Sequence, residues 1–528
     1  MRVCLMHSDR DFESTAVLWQ SLFRRNNTKE EPLSRHELSL IQDLGLNVLL
    51  NAMAKGDEFL LQVSRKTLLS GVGNDIDTVL YRQEITRDCL TNQSIVRSIY
   101  EFSVDATEPK SQWWGLSSRY PYSLLHDSID QLSYFLAILK KLRTIAETEA
   151  RSFRSQGFTN LFSMLRRELS DAYLATVERH LVELKFPNGV LLSSELGDWN
   201  ESVRLTLCQG PENNQSWLDR ILGKGPPGYT FHLHERDEAG AQILSEMRNR
   251  GIARVVLALA DSAEHVLNFF KALRTELAFY IGCLNLHERL AAKGEPTCFP
   301  RPNVAGERHL KCSALYDPCL SLQIQERVIG NSLNANSKSL IAVTGANQGG
   351  KSTFLRSVGM AQVMMQCGMF VAAESFEGEL CPALFTHFKR EEDAEMKSGK
   401  FDEELARMSE IADRISANSM LLFNESFAAT NEREGSEIAK QIVSALLEKN
   451  IKVFFVTHLY SFARDMFERH WGGALFLRPE RSSDGTRTFR MIEGEPLETS
   501  FGADLYRKTF PSEGSPELQN LKEQDIGN

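Results

Sequence analysis

The sequence lacks the features of membrane-spanning, secreted and zinc-stabilised proteins. No run approaches the ~18 uninterrupted apolar residues of a membrane span, and residues 1–10 lack the apolar stretch of a secretory signal. The nine cysteines are scattered, and no two have the CxxC spacing of a zinc site. We therefore expect reduced thiols, no membrane contact and a cytoplasmic location.

An excess of positive charge is also missing. The chain has 60 lysines and arginines against 70 aspartates and glutamates, a formal net charge of −10. This balance argues against a protein coated by nucleic acid, although a local basic face can still contact phosphates. With 528 residues, of which 42% are hydrophobic, the chain is long enough for about two to four domains.

A glycine-rich loop between an apolar strand and a helix is the strongest signal in the chain. An apolar run, 340–344, leads into the loop, and a helical run follows from Phe354. The pattern Gly-x-x-x-x-Gly-Lys-Ser in this context predicts a phosphate-binding P-loop for ATP with Mg²⁺. Its lysine reaches the β- and γ-phosphates, its serine hydroxyl binds Mg²⁺, and backbone N–H groups surround the phosphates. The predicted nucleotide-binding residues are Gly345, Ala346, Asn347, Gln348, Gly349, Gly350, Lys351, Ser352 and Thr353.

Hydrolysis requires an acidic group at the end of a second strand, beside the metal and the attacking water. The apolar run 420–423 ends in Asn424-Glu425, so we predict Glu425 as the general base and Ser352, Asn424 and Glu425 as the Mg²⁺ site. The alternative is a surface glutamate at a strand end. Aspartate usually precedes this glutamate; Asn424 accepts the same hydrogen bond without charge, so we expect nucleotide binding with slower turnover.

A third strand-like run, 453–456, ends in Thr457-His458. His458 at this place is predicted to contact the γ-phosphate or the attacking water, and with Glu425 and Lys351 it completes the predicted catalytic set. The alternative is an ordinary loop histidine.

Periodicity divides the chain into a helical part and an α/β part. Helical patterns cover 34–103, 124–184 and 235–290, the last with an expected interruption before Ser262. Short strand patterns at 190–193, 203–207 and 229–233 interrupt them. Beyond residue 300, strands and helices alternate, which predicts a parallel α/β domain. The predicted fold is multidomain: an all-α module with two long helical stretches and a small β insert at their far end, followed by an α/β P-loop domain.

The motifs together resemble the ATPase domain of the MutS mismatch-repair family. The loop resembles the family's Gly-Pro-Asn-Met-Gly-Gly-Lys-Ser-Thr, and the order of five motifs matches. These motifs are residues 345–353, 369–375, 398–404, 424–435 and 457–458. Upstream segments 43–50, 81–83 and 284–289 resemble pieces of the family's helical core and lever.

The resemblance implies an ABC-type ATPase domain that dimerises around two ATP molecules and binds DNA, double-stranded or branched. It also implies association with the nucleoid if the source is bacterial. It also implies that Ser398 and Lys400 of one protomer reach the nucleotide of the other in a homodimer. The implied domains are an extension over 1–40, a core and lever domain over 41–300 with a clamp-like insert at about 186–234, an ATPase domain over 305–510, and a polar tail over 511–528.

Several residues depart from the family pattern. No Phe-x-Glu motif of the family's mismatch reader occurs among the first 40 residues, Gly399-Lys400 replaces a Ser-Thr pair, and Phe427-Ala428-Ala429 replaces Gly-Arg-Gly. We therefore expect a clamp in repair or recombination without direct mismatch reading.

The alternative to this function is a slowly hydrolysing nucleotide switch with a protein partner. A third possibility is an unrelated ABC-type chromosome or transport ATPase, against which the missing membrane spans and heptad arms argue.

Contact with DNA is expected at the phosphate backbone. Basic residues of the first long helical region give it a positive tendency, and the alternative is a solvated face balanced by neighbouring glutamates. These residues are Lys140, Lys141, Arg143, Arg151, Arg154, Arg166 and Arg167, with Lys224 in the insert.

Overall fold

The computed structural model describes residues 1–8, 33–108, 121–187, 189–198, 202–208, 232–345, 348–390, 399–470, 472–482 and 487–497. The predictions for Ala346, Asn347, Ser398, Lys224 and the tail from 511 lie outside these residues. The α-helices are α1 (Arg35–Leu44), α2 (Leu46–Ala54), α3 (Glu58–Ser70), α4 (Ile76–Thr91), α5 (Gln93–Thr107), α6 (Pro121–Thr148), α7 (Gln156–Glu168), α8 (Asp171–Glu183), α9 (Glu238–Ala292), α10 (Pro318–Gln323), α11 (Lys351–Gln366), α12 (Lys400–Ala412), α13 (Glu432–Glu448) and α14 (Tyr460–Glu468).

The strands form one hairpin and two larger sheets. They are β1 (Leu192–Leu196), β2 (Ser202–Leu207), β3 (Arg301–Asn303), β4 (Leu310–Leu315), β5 (Asn331–Asn334), β6 (Leu340–Val343), β7 (Ser375–Glu379), β8 (Leu384–Phe388), β9 (Met420–Asn424), β10 (Lys452–Val456), β11 (Ala474–Arg481) and β12 (Arg487–Glu493). The fold is multidomain and largely helical with mixed sheets. Within the described residues, no helix is both long and apolar enough to cross a membrane.

The region predicted to be helical over 124–184 is helical, but it is divided into α6, α7 and α8 and does not form one long helix. A 3-10 turn follows α6, and the chain then leaves the helix before α7. Asp88 explains the break, because its carboxylate accepts hydrogen bonds from the backbone N–H groups of Arg154 at 2.9 Å and Ser155 at 2.7 Å. These donors satisfy a long-range partner instead of continuing the helix. A second break precedes α8, where the Ser170 hydroxyl caps the new helix through the Tyr173 N–H.

The predicted interruption before Ser262 is wrong, because α9 runs unbroken from Glu238 to Ala292. Gly251 lies inside it and would favour a break. A Cβ at this position would lie 2.4 Å from a methyl carbon of Leu192. Glycine therefore allows the β1–β2 hairpin to approach the helix closely, and the packing offsets its low helix propensity.

The chain divides into two compact units. The first comprises Met1–Val3, Ser94–Phe153 and Phe158–Glu276. Its core contains aromatic pairs between helices, such as Phe135 with Phe270, whose ring centroids are 5.6 Å apart.

The second compact unit comprises Cys4–Gln93, Arg154–Gly157 and the described part of Leu277–Asn528. It contains a six-stranded sheet of order β12-β11-β6-β10-β9-β8, parallel except for β12, and a four-stranded mixed sheet of order β3-β7-β4-β5. The parallel strands confirm the α/β alternation predicted beyond residue 300. Strands β6, β9 and β10 are almost wholly buried, so packing of apolar side chains on both faces stabilises this sheet.

Candidate functional site

Three parallel strands end at the same edge of the six-stranded sheet. Val456 at the end of β10 pairs with Val343 of β6 on one side and with Asn424 of β9 on the other. Residues that follow these strands therefore lie side by side, at the edge where open α/β sheets bind ligands. The register brings together the glycine-rich loop, Glu425 and His458, which are far apart in sequence.

The glycine-rich loop between β6 and α11 has a left-handed backbone at several positions. Gly345 and Gly350 have φ angles of 103° and 85°, which residues with a Cβ rarely adopt. Gly350 is also the N-cap of α11, so the N–H groups at the start of that helix and its positive end face the loop. Gln348 has a φ of 58°, and its side-chain oxygen accepts a hydrogen bond from Arg487 at 2.7 Å. The loop is therefore shaped to bind an anion.

Lys351 is the first residue of α11 and is only 5% exposed. Its Nζ donates to the carbonyl oxygen of Gly345 at 2.8 Å. Burial lowers the pKa of Lys351 to about 8, and the Glu425 carboxylate acts in the opposite direction. The ammonium is thus largely protonated at neutral pH in a place where charge is costly, and a phosphate beside it would offset that cost.

Ser352 and Asn424 are joined by a hydrogen bond from the serine hydroxyl to the asparagine Oδ1, at 2.9 Å. A hydroxyl and an amide oxygen are hard donors of the kind that Mg²⁺ takes, usually together with substrate phosphates. The pair therefore fits the predicted Mg²⁺ site. Among the described residues there is no cluster of three or more histidine, cysteine or carboxylate side chains that would hold a metal alone.

Glu425 directly follows β9 and contacts His458, which follows β10. Glu425 Oε1 lies 3.1 Å from His458 Nε2, and the two side chains are 32% and 30% exposed. This hydrogen bond is the main reason that the pKa of Glu425 lies below its ordinary value. The carboxylate is therefore ionised at neutral pH and able to accept a proton. Glu425 also has a φ of 54°, a strained conformation of the kind often found at functional sites.

The backbone just after Glu425 is held by buried side chains that the sequence reasoning missed. The Ser426 hydroxyl contacts His387 Nδ1 at 2.7 Å, and the Phe427 N–H donates to the Glu404 carboxylate at 2.9 Å. Burial lowers the pKa of His387 to about 4, so its ring is neutral at neutral pH. Phe427 is itself buried with a φ of 62°. Ser426 and Phe427, the second of which replaces the first glycine of the family's Gly-Arg-Gly, thus form a packed support for the backbone beside Glu425.

A cavity of about 440 Å³ lies beside Lys351. One side consists of the loop, the start of α11 and Glu425, and the other of α10, the segment after it, β5 and β12. The lining residues are Leu315, Tyr316, Asp317, Leu320, Ile324, Arg327, Val328, Ile329, Asn331, Gln348, Gly349, Gly350, Lys351, Ser352, Thr353, Phe354, Ser357, Glu425 and Phe489. The lining therefore has a polar part, formed by the loop, the start of α11 and Glu425, and a mostly apolar part, formed by α10, the segment after it and Phe489.

The apolar side of the cavity could not be found from motifs. Asn331 connects β5 to β12. Its side chain donates to the Phe489 carbonyl oxygen at 3.3 Å and accepts from the Met491 N–H at 2.7 Å. Phe489 and Ile329 thus reach the same space from distant parts of the chain. No local sequence signal marks either of them.

Most of the predicted site residues that the structure describes converge on this cavity. Gln348, Gly349, Gly350, Lys351, Ser352, Thr353 and Glu425 line it, and Asn424 and His458 contact members of that set. Lys400 does not line the cavity; it is the first residue of α12, the helix that carries Glu404.

Two family descriptions match separate parts of the chain. The MutS2 N-terminal domain matches residues 74–293, and MutS domain V matches residues 341–511. Together these matches take in most of the chain, and the second contains the glycine-rich loop, Glu425 and His458.

Individual MutS-type proteins are also similar to this chain in sequence. The DNA mismatch repair protein MutS of Leptospira interrogans is 24% identical over 312 residues, 57% of this chain and 36% of that protein. MutS protein homolog 4 of Mus musculus is 28% identical over 345 residues, 61% of this chain and 35% of that protein. Endonuclease MutS2 of Thermus thermophilus is 28% identical over 180 residues, 34% of this chain and 23% of that protein. The matched parts thus span little more than a third of these relatives at most. The matches and the order of the site motifs lead to one conclusion: the chain belongs to the MutS family.

Proposed function

We propose that this chain is an ATP-dependent, DNA-binding protein of the MutS type that binds and hydrolyses ATP in the cavity beside Lys351. The observation that carries the proposal is the convergence of Lys351, the Ser352–Asn424 pair and the Glu425–His458 pair at one sheet edge. A phosphate-binding loop, a metal-binding pair and an ionised base are the parts that phosphoryl transfer to water requires.

The polar end of the cavity suits the phosphates. The N–H groups at the start of α11 and the Lys351 ammonium would bind the β- and γ-phosphate oxygens. Ser352 and Asn424 would hold Mg²⁺, which supplies positive charge that neutralises the developing charge on those oxygens. Asn424 brings no negative charge to this site, so we expect turnover slower than an aspartate would support.

Glu425 is proposed to orient the attacking water and to accept its proton. Its ionised carboxylate has a lone pair available for this purpose. His458, within hydrogen-bond distance of Glu425, is proposed to fix the carboxylate or to contact the γ-phosphate. The backbone supports at Ser426 and Phe427 reduce the freedom of the loop that carries Glu425, which is favourable for a positioned base.

The apolar end of the cavity is proposed to hold the base. Phe489 presents an aromatic ring and Ile329 an apolar side chain, and a purine can stack or pack between such groups. The loop, Phe489 and Ile329 line one cavity, so a single nucleotide could contact all three.

We further propose an ABC-type arrangement in which two chains close on two ATP molecules. Ser398 and Lys400 of one protomer would then reach the nucleotide of its partner. Within one chain, Glu404 of the same helix as Lys400 accepts a hydrogen bond from the Phe427 N–H, two residues after Glu425. The proposed domains are those predicted from the sequence, with the β1–β2 hairpin inside the clamp-like insert of residues 186–234, and the proposed location is cytoplasmic.

DNA binding is supported by family membership more than by the basic residues of the helices. Arg143 pairs with Glu147 at 2.8 Å and Asp171 at 2.6 Å, and Lys140 pairs with Glu178 at 2.5 Å. These pairings favour the interpretation of a balanced, solvated face for those positions. The relatives' names, which include DNA mismatch repair protein and endonuclease, supply the reason to propose DNA as the partner.

A nucleotide switch with a protein partner is the second candidate, favoured by the uncharged Asn424 and the paired helix faces. Steady-state ATP turnover with duplex DNA, branched DNA or neither, together with DNA affinity over a range of salt, separates the two functions. We expect DNA to stimulate turnover and the logarithm of DNA affinity to fall linearly with the logarithm of salt concentration. ATP binding without any response to DNA, and DNA affinity no greater than that for heparin, would favour the protein-partnered switch instead.

A further inference from the structure

The apolar part of the cavity lining is fixed by hydrogen bonds from residues that directly follow α9. The segment that includes α10 and continues to β5 contributes Leu320, Ile324, Val328 and Ile329 to the cavity. Apart from the short α10, this segment has no regular structure before β5. Its position therefore depends on contacts with other elements.

Helix α9 ends in a turn that directs two charged side chains toward this segment. Gly294 has a φ of 67°, its N–H donates to Ala291 O at 2.9 Å, and the Glu295 N–H donates to Leu290 O at 3.1 Å. This is the Schellman arrangement, in which glycine takes the left-handed position. The turn places Lys293 and Glu295 on either side of Gly294.

Lys293 binds the segment through its carbonyl oxygens. Its Nζ donates to Ser321 O, to Ile324 O at 2.8 Å and to Glu326 O at 3.3 Å. One ammonium thus gathers three carbonyl groups around the end of α10, where helix carbonyls have no partner within the helix. Hydrogen bonds from a charged donor are stronger than neutral ones.

Glu295 binds the same segment through donors. Its side chain is 1% exposed, and its Oε1 accepts from the Ser321 hydroxyl and from the Val328 N–H, both at 3.0 Å. The second oxygen lies 3.8 Å from Arg327 Nε. A buried carboxylate with these partners strongly restricts where Val328 can lie, because leaving the carboxylate unpaired would be costly.

We propose that Lys293 and Glu295 are positioning residues for the base of the bound nucleotide, acting through residues 321–329. This inference rests on the proposed nucleotide site. Neither side chain lines the cavity, and their partners are the backbone and hydroxyl groups of the wall. The phosphates are proposed to bind another part of the cavity lining, Lys351 and the loop. Loss of the hydrogen bonds made by Lys293 and Glu295 should therefore weaken binding of the base and leave binding of the phosphates unchanged.

The test compares two ligands on the full chain: ATP, and inorganic tripolyphosphate, which has no base, both with Mg²⁺. We expect Lys293→Met and Glu295→Gln to raise the dissociation constant of ATP by about tenfold and that of tripolyphosphate by less than about twofold. In turnover assays KM for ATP should rise and kcat should stay within about twofold. Lys293→Arg, which can still donate to several carbonyl oxygens, should recover most of the ATP affinity.

Lys338→Met is the matched control, because Lys338 also donates to a backbone carbonyl, that of Gly472 at 2.7 Å, and does not line the cavity. It should change neither affinity. Equal losses for ATP and tripolyphosphate, or no loss for ATP in Lys293→Met, would overturn the inference alone. A wild-type chain that binds neither ligand would overturn the proposed nucleotide site and this inference with it.

Discussion

Replacement of Glu425 by glutamine is expected to lower ATP turnover by about a hundredfold to a thousandfold, the usual contribution of a general base. Glutamine keeps the size and the hydrogen bond to His458 but cannot accept a proton from water. ATP affinity should stay within about threefold of the wild type, because Lys351, Ser352 and the loop are unchanged. The measurement is phosphate release at saturating ATP, with equilibrium binding of ATP on the same samples.

A control for this variant is Glu437→Gln, which removes an exposed carboxylate that lies 3.8 Å from Lys440 on α13, outside the cavity. It should hydrolyse ATP at the wild-type rate. The pH profile provides a second check. The pKa of Glu425 lies below its ordinary value of 4.5, so protonation of this carboxylate should lower wild-type turnover only at pH values below about 4.5. If Glu425→Gln hydrolyses ATP within threefold of the wild type, Glu425 is not the base.

Replacement of Lys351 by methionine is expected to abolish useful ATP affinity while stabilising the free protein. The ammonium is proposed to supply the main side-chain charge for the phosphates, so we expect ATP affinity to fall by at least about a hundredfold. Without ATP the buried ammonium destabilises the folded protein. Burial disfavours its charged form, which lowers the pKa of Lys351 from 10.5 to about 8. At pH 7 this shift lowers the free energy of unfolding by up to about 3 kcal/mol, and replacement by methionine removes that loss of stability.

The sign of the pH dependence follows from the same shift. Between about pH 8 and 10.5 the unfolded chain binds more protons at Lys351 than the folded chain does. The contribution of Lys351 to the free energy of unfolding therefore rises with pH across that window, while the full cost persists below pH 8. Urea unfolding at pH 7 and pH 10 measures the difference, with Lys338→Met as the control. If Lys351→Met is less stable than the wild type at pH 7, or binds ATP normally, the account of this lysine is wrong.

The site motifs were predictable because each is local. The glycine-rich loop needs a strand before it and a helix after it within about a dozen residues, and Leu340–Val343 and Lys351–Gln366 supply both. Glu425 and His458 each follow an apolar strand, which the pattern of side chains shows directly. The patterns do not show which strands are neighbours in the sheet. The structure shows that β10 lies between β6 and β9, because Val456 pairs with both Val343 and Asn424.

The remaining features depend on long-range contacts that no window of the sequence contains. The chain leaves the helix between α6 and α7 where Asp88 binds the backbone of Arg154, 66 residues away. Phe489 reaches the cavity because Asn331, 158 residues before it, holds its carbonyl oxygen. Such contacts override local propensity, and they explain why the base wall and the helix breaks were missed while the loop was found.

ATP is proposed to lie in this cavity, with its base against Phe489 and the segment around Ile329. Photolabelling of the full chain with 8-azido-ATP and Mg²⁺, followed by peptide mapping, tests this position most directly. We expect label on peptides containing residues 315–331 or 487–491, lost when excess ATP is present and absent in Lys351→Met. Label confined to other parts of the chain, or label that ATP does not displace, would contradict it.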